Sequence, residues 1–181
     1  FFGLDKEYEF VSLFGFATDT YDILGKILRV EKVADLNEMD LIKIRKMYEG
    51  EKEQEYPKYS SPVIARGEKG GGSKKINIYK LEFNKLDNLS SKELFGRLLM
   101  DISKVKGDFR QNEVLILWKQ MLEKYEGGQL LLARFSAHVS SGTYIRGIVN
   151  DFGNTLSIGA TTLSIKRNRV GDYKVEDSLR F

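Results

Sequence analysis

The chain has 181 residues, 41% hydrophobic and 30% charged, with a formal net charge of +3 and no cysteine. That balance suits one globular domain or two small lobes on a shared core, and the lack of thiols excludes disulfide frameworks and thiolate metal sites. The single histidine, His138, cannot make a multi-histidine metal site; no apolar run nears the roughly 18–20 residues of a membrane span and no signal-peptide pattern is present, so a soluble cytoplasmic protein is expected.

The first segment, 6–16 (KEYEFVSLFGF), reads as a strand with Tyr8, Phe10, Ser12 and Phe14 on one side. A polar Thr-Asp-Thr turn at 18–20 follows, then Asp22 and Gly25, and a second strand over 27–33. Asp35 with Glu38 resembles a capping box. Leu36, Met39, Ile42 and Met47 support a helix to Tyr48, with Gly50 as its stop. Residues 51–73 show little periodicity and hold both prolines, Pro57 and Pro62. Gly70, Gly71, Gly72 and Ser73 form a flexible-linker sequence; together with a start at FFGLDKEYEF without methionine, it raises the expectation of an engineered, shortened loop.

A strand is expected over 75–83, and a helical hairpin over 86–128. Ser90 with Glu93 makes the capping box of its first helix, Leu94, Leu98, Leu99, Ile102 and Val105 follow at helical spacing, and Trp118 is read as a hairpin core residue. The stretch 130–139 alternates, placing Leu131, Ala133, Phe135, Ala137 and Val139 on one face and Arg134, Ser136 and His138 on the other. Next comes SSGTYIRGIVNDFG at 140–153, where Tyr144, Ile145, Ile148, Val149 and Phe152 fall at helical spacing. A last strand at 161–169 has a basic end and turns at Gly171-Asp172. The class is therefore α+β, with a mixed, mainly antiparallel sheet and an inserted hairpin.

Few residues announce chemistry by composition. Asp5, Asp19 and Asp22 sit near turns and read as turn and cap acids, and GEKGGGS lacks the spacing of a phosphate-binding loop. Lys166, Arg167 and Arg169, with Lys174 and Tyr173 nearby, suit phosphate contacts; a charged sheet edge that resists strand pairing is an equally good reading. Arg146 is sharper. A cation in the first turn of a helix stands against the dipole, so if buried it needs a carboxylate or phosphate partner.

Several motifs occur together and in order: Lys6-Glu7-Tyr8, residues 16–22 (FATDTYD) with Gly25, Gln54 with Pro57 and Tyr59-Ser60, residues 141–146 (SGTYIR), and Lys166-Arg167. Together they resemble the tRNA pseudouridine synthase B family, which makes pseudouridine in the T-loop of tRNA. The resemblance implies a mixed-sheet catalytic core crossed by an RNA-binding cleft, a flipped-out uridine, and chemistry without metal or organic cofactor. It implies that Tyr8 packs on the flipped base and that Arg146 pairs with the catalytic aspartate. Ile165 would line the uracil pocket, with Thr143, Tyr144, Lys166, Arg167 and Arg169 also contacting substrate. The partner would be a tRNA T-arm, with no DNA and no membrane, and the protein a monomer.

The same resemblance places the catalytic aspartate in a G-x-L-D-P-x-A-x-G motif ahead of the K-x-Y strand, and these 181 residues do not contain it. Asp5 directly precedes Lys6-Glu7-Tyr8 and is not assigned that role. The expectation is a partial core over 1–181, inactive alone and completed by an upstream segment or a second chain. The basic insertion after Tyr59-Ser60-Ser61 is expected to be reduced to the 67–73 linker, and the C-terminal RNA-binding domain to be absent. A non-catalytic RNA-binding module and an engineered structural core are the other readings.

Overall fold

The computed structural model describes residues 3–55, 72–107, 109–125 and 128–177. Pro57, Pro62, the Tyr59-Ser60 motif and the linker through Gly71 lie outside them. Strand β1 (Lys6–Phe14) carries Tyr8, Phe10, Val11 and Phe14, residue types that suit a pleated surface. It ends at Gly15, whose φ of +90° only glycine adopts readily and where a Cβ would meet the Glu31 carbonyl at 2.7 Å. The single strand expected over 6–16 is therefore two. After the break, β2 (Phe16–Thr18) pairs with β3 (Ile27–Val30) in a separate two-stranded sheet.

Helix α1 (Glu38–Tyr48) is capped by Asn37, whose side chain accepts from the Met39 and Asp40 amides while Asp40 reaches back to the Asn37 amide. The capping box thus lies two residues later than Asp35–Glu38. Strand β4 (Gly50–Glu55) falls in a stretch that shows no sequence periodicity; it is an edge strand in which only Gln54 is buried. Strand β5 (Ser73–Leu89) runs well past the expected 83, because Lys85 to Leu89 continue the ladder opposite Arg134 to Leu130 and Asp87 pairs with Arg134 at 2.8 Å. The hairpin accordingly starts later than 86. Its helices are α2 (Ser91–Ser103), with the Ser90–Glu93 capping box formed as expected, and α3 (Gln111–Glu123).

Strand β6 (Leu130–Val139), helix α4 (Ile145–Leu156), strand β7 (Ala160–Val170) and the short β8 (Tyr173–Lys174) complete the order. The main sheet runs β4-β5-β6-β1-β7-β8, with every named pair antiparallel; one isolated parallel bridge joins Asp22 to Thr162. This is the expected α+β class. Among the described residues no helix is long and apolar enough to cross a membrane.

Two apolar cores lie on the two faces of this sheet. Phe10, Phe14, Phe135 and Val139 face helices α1 and α4, with Leu41, Ile44, Ile148 and Phe152. Phe10 stacks on Phe135 at 5.4 Å between centroids. On the opposite face Val11, Leu13, Leu132 and Leu163 meet the hairpin residues Leu94, Leu98, Val114 and Trp118. Each such side chain, fully buried, contributes roughly 1.5–3 kcal/mol. The second core also takes in Phe16 and Ile23, so it reaches the loop between β2 and β3.

Candidate active site

The loop from β2 to β3 is tied by its own polar side chains. The Thr18 hydroxyl donates to the Asp22 carbonyl at 2.8 Å and lies 2.9 Å from that of Thr161, while the Thr20 hydroxyl donates to Asp22 Oδ1 at 2.6 Å. The Leu24 amide donates to the same oxygen at 3.0 Å, and the Lys26 amide donates to Asp19 Oδ1 at 2.8 Å. Short polar side chains that bond the backbone two residues on are what turns favour. Gly25 is required by the close approach: a Cβ there would stand 2.5 Å from Thr20 Oγ1 and 2.7 Å from Asp19 Oδ1.

This arrangement aims the second oxygen of Asp22 at Arg146. Arg146 Nη1 donates to Asp22 Oδ2 at 2.7 Å and to the Thr20 carbonyl at 2.9 Å. The two side chains are 25% and 19% exposed, so the pair is shielded from water well beyond an ordinary surface pair. Asp22 thus does the turn duty expected of it with one oxygen and supplies a partner to Arg146 with the other. The expectation that the arginine's carboxylate partner lies outside this chain is corrected to that extent. Nε and Nη2 of Arg146 make no hydrogen bond among the described residues, which leaves a second donor edge of the guanidinium available.

Arg146 stands in the first turn of α4, where no acidic residue offsets it and Tyr144 is the cap. The start of that helix is held from outside by Gln54, 6% exposed. Its Oε1 accepts the Tyr144 amide at 2.8 Å and its Nε2 donates to the Tyr144 carbonyl at 2.9 Å. Thr143 closes the preceding turn, its amide and hydroxyl both donating to the Ser140 carbonyl. Thr143 and Tyr144 therefore shape the helix start.

A pocket of about 450 Å³ opens beside the ion pair, lined by Asp22, Arg146, Ile165, Asp101, Ile102 and Val105 among others. That volume is in the range of small-molecule sites. Arg146 and Ile165 thus line one pocket. Tyr8 does not line this pocket; it borders a separate cleft of about 280 Å³ with Glu7, Lys80 and His138. The register nevertheless sets Tyr8 opposite Arg167 and Phe10 opposite Ile165, so Tyr8 and Ile165 are diagonal neighbours on one face of the sheet. The Arg167 guanidinium lies 5.9 Å from the Tyr8 ring centre. Burial pushes the Tyr8 phenol up, against the pull of Arg167, so the ring is neutral at physiological pH.

The basic end of β7 is less uniform than its composition. Arg169 is committed to Glu7 at 2.7 Å and Lys174 approaches Glu176 at 3.6 Å, whereas Lys166 and Arg167 are exposed. Asp5, near the start of β1, accepts from the Tyr79 hydroxyl at 3.3 Å. Sequence reasoning missed the pairing of Asp22 with Arg146, the Gln54 bridge, and the hairpin's place in the pocket wall. The T-D-T-x-D spacing marks Asp19 and Asp22 as turn acids and carries no signal for the pairing with Arg146, 124 residues away.

Residues 1–107 match the family model described as TruB family pseudouridylate synthase (N terminal domain). The chain is 27% identical over 179 residues to a tRNA pseudouridine synthase B of Endomicrobium trichonymphae, covering 98% of this chain and 63% of that one. It is 32% identical over 180 residues to that of Borreliella afzelii, covering 98% and 52%. The chain thus spans about half to two thirds of the length of these curated relatives. Among solved structures, a protein in "Crystal Structure of a Cbf5-Nop10-Gar1 Complex" aligns with a TM-score of 0.49 at 19% identity, over 94% of this chain and 32% of that one. With more than half of its length matched by the family model, the chain belongs to the TruB family of pseudouridylate synthases.

Proposed function

We propose that this chain is the catalytic core of an enzyme that isomerises uridine to pseudouridine in the T-loop of tRNA. The observation that carries the reading is the shielded Arg146–Asp22 pair beside the pocket that also holds Ile165, in a chain of this family. The reaction gains and loses no atoms overall. The bond from ribose to uracil nitrogen breaks, the base turns, and a bond from ribose to uracil carbon 5 forms; that carbon gives up its proton and the freed nitrogen takes one up.

In this reading the target uridine leaves its stack, which makes the glycosidic bond reachable. Ile165 supplies the apolar wall against uracil, and Tyr8 packs on the base. Arg146 is anchored through Nη1 and uses Nε and Nη2 to hold the catalytic carboxylate, which the family resemblance places in the aspartate motif that is not among these residues. A guanidinium suits this task because its donors form a rigid planar fork. Thr143 and Tyr144 act by holding the first turn of α4. Lys166 and Arg167, with Arg169 behind them, meet tRNA phosphates and orient the T-arm. The core covers 1–181, and the hairpin is an insertion within it.

The test uses the full-length protein and T-arm RNA carrying tritium at carbon 5 of uridine, since that hydrogen is released when the carbon bond forms. Arg146→Ala is expected to lower release by about 10²–10³-fold, in line with loss of a preorganised electrostatic group. Release at the wild-type rate would overturn the role given to Arg146. No release by the wild-type protein would overturn the activity itself.

A further inference from the structure

The helical hairpin is fastened to the acid loop at three places. Glu113 of α3 pairs with Lys26 at 2.6 Å, and Arg110 at the start of α3 approaches Asp19 Oδ2 at 3.4 Å. The third link is fully buried: Trp118 Nε1 donates to the Ile23 carbonyl at 3.2 Å. Ile23 directly follows Asp22, and the carbonyl of Ile23 belongs to the same peptide unit as the Leu24 amide. That amide donates to Asp22 Oδ1 at 3.0 Å. A peptide unit is planar and turns as one body, so the indole and the carboxylate hold its two ends. A continuous path of hydrogen bonds therefore runs from Trp118 through the 23–24 peptide and Asp22 to Arg146.

From this geometry we infer that Trp118 is a positioning residue of the Arg146 site, and that the hairpin is part of the active-site architecture. The indole fixes the 23–24 peptide, the peptide fixes the Asp22 carboxylate, and the carboxylate fixes Arg146. The same hairpin supplies Asp101, Ile102 and Val105 to the pocket wall, so its placement sets both the geometry of the ion pair and the width of the pocket beside it. The catalytic part of this inference rests on the proposed function; the structural part does not.

Trp118→Phe separates this role from simple packing, because phenylalanine keeps an aromatic ring against Phe16, whose centroid is 5.3 Å from that of Trp118, and removes only the donor and part of the ring. In the full-length protein, W118F is expected to speed hydrogen exchange of the Leu24 and Lys26 amides about tenfold, with amides of α1 unchanged. It should lower kcat on T-arm RNA about tenfold with KM held within about twofold, and the double variant with Asp22→Asn should be no slower than D22N alone. Unchanged exchange at Leu24 and Lys26 overturns the inference whatever the activity. Faster exchange with an unchanged kcat, or independent effects of W118F and D22N, overturns the positioning role. If W118F does not fold, the Trp118 indole N–H of the wild-type protein decides: slow exchange supports the link, and exchange as fast as free indole overturns it. If the full-length protein forms no pseudouridine, the proposed function fails while the exchange result still decides the structural link.

Discussion

The two faces of the main sheet are packed by different kinds of element. On one face α1 and α4 lie over the aromatic cluster of Phe10, Phe135 and Phe152, and α4 carries Arg146. On the other, the hairpin α2–α3 covers Val11, Leu13 and Leu163 and extends to Ile23, next to Asp22. The ion pair is therefore a joint between two cores: its cation is mounted on the first and its anion is held by the second. Such a joint is rigid only while both cores hold their ends, which makes packing far from the pocket matter to its geometry.

The largest expected effects come from opening either core. Phe152→Ala should cost about 3–5 kcal/mol and Leu98→Ala about 2–5 kcal/mol, as fully buried side chains do when truncated. Both cores share β1 and β6, so urea melts should show one cooperative transition shifted by either change. A separate early transition in L98A, with the α1/α4 face still folded, would break the picture of a joint between coupled cores. A smaller effect belongs to Gln54→Leu, which removes both hydrogen bonds that Gln54 makes to the Tyr144 backbone at the start of α4. A loss of about 1–3 kcal/mol is expected, with faster amide exchange at Tyr144. Because Gln54 acts on the arginine's side of the joint and Trp118 on the aspartate's side, Q54L and W118F should be additive in stability within about 0.5 kcal/mol. Strong coupling between them would mean that the two sides are a single unit.

Much of the first face was legible in the sequence. The alternation of residues 130–139 assigned Phe135 and Val139 to one side, and the helical spacing after Tyr144 put Arg146 in a first turn, because both patterns are local. The Ser90–Glu93 capping box held for the same reason. The partner of Arg146 was not legible, because Asp22 lies 124 residues away in sequence and its local environment looks like that of any turn acid. Edge strand β4 was hidden because GEKEQE presents charge on both sides and buries only Gln54. The break at Gly15 was hidden because Phe14 and Phe16 flank it and continue the strand-like pattern; the glycine is needed for a positive φ beside the Glu31 carbonyl, which is a tertiary condition. The site motifs were legible as a set through family resemblance, and their geometry was not.

The smallest effect concerns the outer part of α4, beyond the joint. Asp151 is half-buried there, and its carboxyl is pushed up to about 6, chiefly by burial, with Glu55 adding to the rise and a hydrogen bond from Asn150 opposing it. The folded protein thus holds this proton more tightly than the unfolded chain does, whose value is that of an ordinary aspartate. Its contribution to stability is fully present below the ordinary value of 3.8 and is lost as pH rises through about 6. At pH 8 the charged side chain is a net burden, and Asp151→Asn should stabilise the protein by about 1–2 kcal/mol, allowing for solvent screening of a group this exposed. Below pH 4 the variant and wild type should melt together, since both then carry a neutral side chain. A gain that is the same at pH 4 and pH 8 would point to packing instead of charge, and a loss at pH 8 would mean that the Asp151 carboxylate has a compensating partner when ionised. The second result would extend the joint's electrostatics along α4; the expected result confines them to its first turn, where Asp22 meets Arg146.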